Sequence, residues 1–209
     1  MPLTADTPKP MLHAQGKPIL EHVILKAKHN GFSNIVISVG YLATDIINYF
    51  GNGEKLDVSI EYISEDRPLG TAGALFNLPA SYRKNPIVVT NADLLTSVSY
   101  SQMLSHVVQS RASGLIGVKL HETRIPFGVI ESSGGFLSSI QEKPVLQHHI
   151  NAGVYVLNSE ILDLVDPDSY LDMPTLFNKA LDHGMKINIF PVHEDWIDIG
   201  RHEDYQRVA

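Results

Sequence analysis

Two short, almost unbroken apolar runs set among helix-like segments constrain this chain more than any other feature. They are Asn34-Ile35-Val36-Ile37-Ser38-Val39-Gly40 and Pro86-Ile87-Val88-Val89-Thr90-Asn91-Ala92-Asp93. Neither shows the polar alternation of a strand with one wet face, so both belong in a sheet covered on both sides. Residues 18–30 open on proline, stop at Asn30-Gly31 and set Ile19, Val23 and Ala27 on one face, which predicts a helix. A helix over 42–50, a strand over 58–62 and a helix starting near Thr71 separate the two runs. Helix 100–111 and strand 115–119 follow the second. This alternation predicts an α/β fold with a doubly wound, mainly parallel sheet flanked by helices.

After residue 120 the rhythm changes. Residues 127–131 and 136–142 flank Ser132-Ser133-Gly134-Gly135 and read as a β-hairpin extension in the second half, making the sheet mixed. A strand over 151–157, a helix near 172–184, a strand over 187–192 and a helix after Gly200 complete the chain, the last carrying an exposed Glu203-Asp204-Tyr205. At 209 residues, without repeats or linkers, residues 1–209 form one domain with a sizeable core.

Composition removes several classes of function. There are no cysteines, which excludes disulfides, thiolate metal sites and a cysteine nucleophile. Without a long apolar run or a signal peptide's apolar region, no membrane association is expected and the cytoplasm is the expected compartment. A net charge of -7 with no cluster of Lys and Arg argues against a nucleic-acid surface. It leaves room for a phosphorylated small molecule, held by a few basic residues and backbone N–H groups. His148-His149 lacks the spacing of a zinc protease, and no Gly-x-Ser-x-Gly elbow is present.

Ligands of open α/β sheets bind at the carboxyl ends of the strands. Asp93 ends the second apolar run there, either as a turn cap or as a hard oxygen ligand suited to Mg²⁺ beside substrate phosphates. Asp198, in Trp196-Ile197-Asp198-Ile199-Gly200, carries the same two readings, with Gly200 permitting close backbone approach. Pro68-Leu69-Gly70-Thr71-Ala72-Gly73-Ala74-Leu75 is a turn into a helix. It is either a plain connection or a place where small residues admit a flat base and early N–H groups favour anionic or carbonyl acceptors. Glu142-Lys143-Pro144 is an exposed acid–base pair or a binding pair. Asn151-Ala152-Gly153 is turn chemistry or a donor–acceptor set for hydroxyls. Lys9, between Pro8 and Pro10, is a solvated side chain or an ammonium presented at little ordering cost.

Taken in order, Pro8-Lys9-Pro10-Met11-Leu12 with Gly16-Lys17-Pro18-Ile19, then Leu69-Gly70-Thr71-Ala72-Gly73-Ala74, Asn91-Ala92-Asp93, Phe127-Gly128-Val129, Glu142-Lys143-Pro144, Asn151-Ala152-Gly153 and Trp196-Ile197-Asp198-Ile199-Gly200 resemble the motifs of the sugar-1-phosphate nucleotidylyltransferases. The resemblance covers nearly the whole chain and is nearest the bacterial mannose-1-phosphate guanylyltransferase-like branch. It implies a Rossmann-like fold and transfer of a nucleotidyl group from a nucleoside triphosphate to a sugar 1-phosphate, releasing pyrophosphate.

The resemblance also implies roles. Asp93 and Asp198 would be Mg²⁺ ligands, and Asn-Ala-Asp departs from the family's commoner Gly-Asp without removing the carboxylate. Lys9 would hold the triphosphate, so the catalytic set is Lys9, Asp93 and Asp198. Gly70, Thr71 and Gly73 would bind the nucleotide. Gly128, Glu142, Lys143, Asn151 and Gly153 would bind the sugar phosphate. Against the family, Met1-Pro2-Leu3-Thr4 looks like the tail of a glycine-rich, arginine-containing loop. The expectation is therefore an N-terminally truncated domain, poorly active alone, whose missing first strand would expose two sheet edges and favour a homo-oligomer. A non-catalytic nucleotide-sugar binding or regulatory module, and a fragment of a larger enzyme, are the alternatives.

Overall fold

The computed structural model describes residues 7–199 and Tyr205. Met1-Pro2-Leu3-Thr4, Gly200 and, Tyr205 apart, the helix expected after it lie outside the described residues. A 3-10 turn at Lys9–Met11 leads to the paired two-residue strands β1 (His13–Ala14) and β2 (Lys17–Pro18). Helix α1 (Ile19–His29), strand β3 (Asn34–Val39), helix α2 (Ala43–Phe50), strand β4 (Ser59–Ser64) and the single turn α3 (Gly70–Gly73) follow. Next come β5 (Ile87–Thr90), β6 (Leu94–Thr96), α4 (Tyr100–Ser110) and β7 (Gly114–Arg124). The hairpin strands β8 (Gly128–Ser133) and β9 (Phe136–Glu142) precede β10 (Val145–Leu157). Helices α5 (Ser159–Leu162) and α6 (Met173–Asp182) and strands β11 (Ile187–Pro191) and β12 (Trp196–Asp198) complete the chain.

The central sheet runs β11-β7-β10-β5. Strand β10 is antiparallel to both β7 and β5, and β11 is parallel to β7, so β5, β7 and β11 share one direction. The sheet is mixed and mainly co-directional, as the sequence implies. Strands β3 and β4 form a separate parallel pair. Among the described residues, β3 pairs only with β4 and β5 only with β10.

Alternation along β10 explains why its second half is apolar throughout. Ala152, Val154 and Val156 face a core with α4 residues Met103 and Val107. Tyr155 and Leu157 face the opposite core, with Leu176, Phe177 and Ala180 of α6. Successive strand side chains point to opposite faces, and here both faces are covered. A third core joins α1 and α2 to β3 and β4 through Leu20, Val23, Ile24, Ile37, Val39, Phe50 and Ile60, with Ala92 packed against it. The other end of α1 reaches the α4 core through Ala27, so this helix ties the two sheets together.

Helix α1 ends where the sequence predicts: the Asn30 side chain donates to the Lys26 carbonyl at 2.9 Å, and Lys26, Lys28 and His29 complement the dipole in its last turn. Other boundaries moved. Strand β7 extends to Arg124 and β10 begins at Val145, because a ribbon of Lys119 to Arg124 paired with Val145 to Ile150 continues past the core. Most of that ribbon is exposed, so it carries no hydrophobic period to read. The helix expected from Thr71 is one turn, continued as a 3-10 turn over Ala74–Asn77 and ended at Leu78-Pro79.

Candidate functional site

Strand β5 ends at Thr90, opposite the start of the irregular stretch of β10, and the next amide, Asn91 N, still donates to the Gly153 carbonyl of that strand at 2.9 Å. The chain then turns through Ala92 and Asp93 into β6. Strand β12 runs antiparallel to β6, with Asp198 opposite Leu94, and the Ile199 amide donates to the Asp93 carbonyl at 3.1 Å. Asp93, just before β6, and Asp198, the last residue of β12, are thereby backbone neighbours at the end of one ladder, although about a hundred residues apart in sequence. The ammonium of Lys9, carried by the proline-flanked 3-10 turn, donates to Asp93 Oδ2. The structure thus brings the whole expected catalytic set to the carboxyl end of β5.

A bulge in β10 forms one wall. Pairing with β7 shifts register between Asn151 and Tyr155, and Gly153 occupies it with φ +71°. A Cβ on Gly153 would lie 2.8 Å from Asn91 Nδ2, so both the backbone angle and the space demand glycine. The Asn151 side chain uses both its groups locally: Oδ1 accepts from the Gly153 amide at 2.9 Å, and Nδ2 donates to the Tyr155 hydroxyl at 2.8 Å. Burial pushes the Tyr155 phenol above its ordinary range, the Asn151 bond works against this, and the Asp198 charge adds to it. Trp196 Nε1 donates to the Ala152 carbonyl at 2.8 Å and so pins β12 to the bulge. Trp196 is half-buried against the α4 core.

Gly128 and Glu142 pair at the base of the hairpin, and the Lys143 amide donates to the Phe127 carbonyl at 3.2 Å. Lys143 has φ +47°, a left-handed conformation uncommon for a side-chain-bearing residue outside a tight turn. Its ammonium is 3.9 Å from Glu142, and both side chains are exposed. These residues form a second group, on the hairpin rather than in the aspartate cluster.

The loop at Gly70–Gly73 forms a third. Its early amides are not open to a ligand: Thr71 N donates to Asp172 Oδ1 at 3.2 Å, and Ala72 N and Gly73 N donate to the Leu171 carbonyl at 2.8 and 3.1 Å. The expectation that early helix N–H groups greet an anion or carbonyl is corrected here, since the fold uses them itself. Glu65 Oε2 accepts from the Leu69 amide at 2.8 Å, tying the loop to the end of β4. Sequence points to none of Glu65, Tyr155 and Asp172 as site residues, and to Asn91 only as part of Asn91-Ala92-Asp93. Only Asp172, before Met173-Pro174, carried a local signal, that of a helix cap.

Asp93 and Asp198 are the residues here that could hold a divalent cation. No group of three or more His, Asp or Glu side chains capable of holding a metal occurs among the described residues. Two carboxylates on neighbouring backbone positions are a hard, incomplete donor set of the kind that Mg²⁺ completes with water and substrate oxygens. A shallow depression lined by Ser33, Asn34, Asn52, Glu54 and Asp57 lies at the start of β3 and β4, apart from these groups.

The nucleotidyl transferase family model matches residues 1–209. The chain is 29% identical to a mannose-1-phosphate guanylyltransferase of Mycobacterium tuberculosis over 99% of its own length and 59% of the relative's. It is 28% identical to a UTP–glucose-1-phosphate uridylyltransferase of Synechocystis over 98% of its length and 58% of the relative's. The chain therefore spans under two thirds of the length of these relatives. Its fold matches that of HddC from Yersinia pseudotuberculosis, solved with GMP-PN, with a TM-score of 0.75 at 24% identity, covering 97% of this chain and 89% of the other.

Proposed function

The chain belongs to the nucleotidyl transferase family, and on that premise we propose that it transfers a nucleotidyl group from a nucleoside triphosphate to a sugar 1-phosphate, with GTP and mannose 1-phosphate as the preferred pair. The observation that carries this reading is the adjacency of Asp93 and Asp198 at the end of the β6–β12 ladder, with Lys9 on Asp93. An oxygen of the sugar phosphate attacks the α-phosphorus in line, and pyrophosphate leaves opposite. Such a reaction asks the protein for alignment and charge neutralisation rather than covalent chemistry.

Each group then has work to do. Asp93 and Asp198 would hold Mg²⁺, which when bound neutralises charge developing at the α-phosphate. Lys9 offers its ammonium to the triphosphate once that ligand competes with Asp93 for it. Gly70 and Thr71 would meet the base at the surface of the loop, with Gly73, itself buried, contributing through the close backbone packing it permits. Asn151 and Gly153 line the sugar side, and Gly128, Glu142 and Lys143 approach the sugar phosphate from the hairpin, Lys143 as a point charge. The choice of guanine and mannose rests on the M. tuberculosis relative and on the motif style of the second half.

The test is pyrophosphate release with Mg²⁺, scanning GTP, UTP, CTP, ATP and dTTP against mannose, glucose and glucosamine 1-phosphates. Low turnover, highest with GTP and mannose 1-phosphate and dependent on both, is expected. Turnover dependent on no sugar phosphate, or silence across the panel, would overturn the reading.

A further inference from the structure

Asp172 sits at the N-cap of α6 with extended backbone, the residue type and place that ordinarily accept from an N–H in the helix's own first turn. No such bond forms. Its Oδ1 accepts instead from the Thr71 amide at 3.2 Å, 101 residues earlier in the chain, while Oδ2 accepts from the Tyr170 hydroxyl at 2.8 Å. The amide of Met173, which begins α6, in turn donates to Thr71 Oγ1 at 2.7 Å. The two residues exchange caps: the carboxylate of Asp172 serves α3, and the hydroxyl of Thr71 serves α6.

Other contacts follow the same line. The Leu171 amide donates to the Leu69 carbonyl at 2.9 Å, completing a short ladder with the Ala72 and Gly73 bonds to Leu171 O. The fit leaves no spare room. A Cβ on Gly70, where φ is +76°, would lie 2.6 Å from the Leu171 carbonyl oxygen and 2.8 Å from Asp172 Oδ1. A four-residue helical turn cannot hold itself, because one turn fixes several dihedrals for a single hydrogen bond. The conformation of Gly70–Gly73 is therefore imposed by the segment from Ser169 to Met173.

We propose that Asp172, acting through Thr71, is the positioning residue of the nucleotide loop, holding Gly70–Gly73 in its receiving conformation before any ligand arrives. This deepens, and rests on, the reading of Gly70–Gly73 as the surface that meets the base. A loop ordered in advance spares the ligand the entropy of ordering it. Loss of the bond therefore falls on nucleotide affinity and leaves the chemical step and the sugar phosphate largely alone.

The test compares the full chain with Asp172→Ala, Asp172→Asn and Thr71→Val. Calorimetric titration with GTP, UTP and dTTP in Mg²⁺ and steady-state pyrophosphate release supply the readouts, alongside amide hydrogen exchange of the nucleotide-free protein. Asp172→Ala is expected to weaken nucleotide binding and raise the nucleotide KM by about tenfold, the scale of one lost bond to a charged acceptor. The sugar 1-phosphate KM and kcat stay near wild type, and exchange at Thr71 accelerates. Asp172→Asn keeps the Oδ1 acceptor and recovers most of the affinity. Thr71→Val keeps the amide, loses the hydroxyl and falls between. If Asp172→Ala does not fold, Asp172→Asn and Thr71→Val carry the same comparison. Unchanged nucleotide affinity in folded variants, or equal losses for both substrates, overturns the positioning role. A wild-type chain that binds none of the nucleotides overturns the reading of the loop and the proposal with it, a result distinct from binding that Asp172→Ala leaves untouched.

Discussion

The ammonium of Lys9 and the carboxylate of Asp93, 84 residues apart in sequence, are hydrogen-bonded partners. Both side chains are partly exposed, at 32% and 21%, so solvent screens the pair and its worth is about 0.2–1 kcal/mol. A cation bound at Asp93 must share the carboxylate with Lys9. Lys9→Met should therefore tighten Mg²⁺ binding by about 1.4- to fivefold, the same energy read as an affinity, while raising the KM for the nucleoside triphosphate. Calorimetric Mg²⁺ titration checks the first part; unchanged or weaker binding in the variant would contradict it.

Asp93 and Asp198 act on one reacting centre if they hold one cation, so their losses should not add. Asp93→Asn and Asp198→Asn are each expected to lower kcat by about a hundred- to a thousand-fold, the scale for removing one preorganised stabilising group. The double variant should fall little further. Pyrophosphate release across a Mg²⁺ series measures this, and losses that multiply would show that the two carboxylates work separately.

Gly153 and Gly184 share a left-handed backbone, at φ +71° and +73°, yet differ in surroundings. Nothing lies within 4 Å of a Cβ on Gly184, whereas on Gly153 it meets Asn91 Nδ2 at 2.8 Å. Gly184→Ala should cost only the backbone strain, about 1–2 kcal/mol. Gly153→Ala should cost more and move the Asn91 side chain. Equal melting temperatures for the two variants would refute the claim that space at the β10 bulge matters.

Glu21 lies in the first turn of α1, accepting from the Tyr49 hydroxyl at 2.9 Å and pairing with Lys17 at 2.9 Å. Burial works to raise its pKa, but the Lys17 and Tyr49 bonds outweigh it and hold the carboxyl below its ordinary value of 4.5. A depressed folded-state pKa contributes stability that is fully present above 4.5 and is lost as pH falls through the lower, folded value. Glu21→Gln should lower stability at neutral pH and flatten its decline below pH 4.5. Denaturant melts across that range test it, and parallel pH profiles for the two proteins would disprove the linkage.

Local chemistry made the elements legible. Proline before Ile19 and asparagine at position 30 bracket α1, and the unbroken apolar runs mark strands β3 and β5, although β3 buries only Ile37 and Val39 and β5 is half-buried along its length rather than covered on both faces. The outer ribbon of β7 and β10 and the short strands β6 and β12 were not legible. The ribbon has no buried face to imprint a period, and a three-residue strand is too short to show one.

The sequence by itself determined that Asp93 follows an apolar strand, that Asp198 stands in the Trp196-Ile197-Asp198-Ile199-Gly200 motif, and that Lys9 sits in a proline-stiffened turn. Those are matters of near neighbours, where periodicity and backbone restriction act. Tertiary structure alone decided that Lys9 meets Asp93, that Asp198 is the backbone neighbour of Asp93 at the end of one ladder, and that Thr71 and Asp172 cap each other's helices. Each of these joins residues more than eighty positions apart. Such contacts are fixed by strand order and register, which arise from packing the whole set of faces at once and leave no mark in any single stretch of chain.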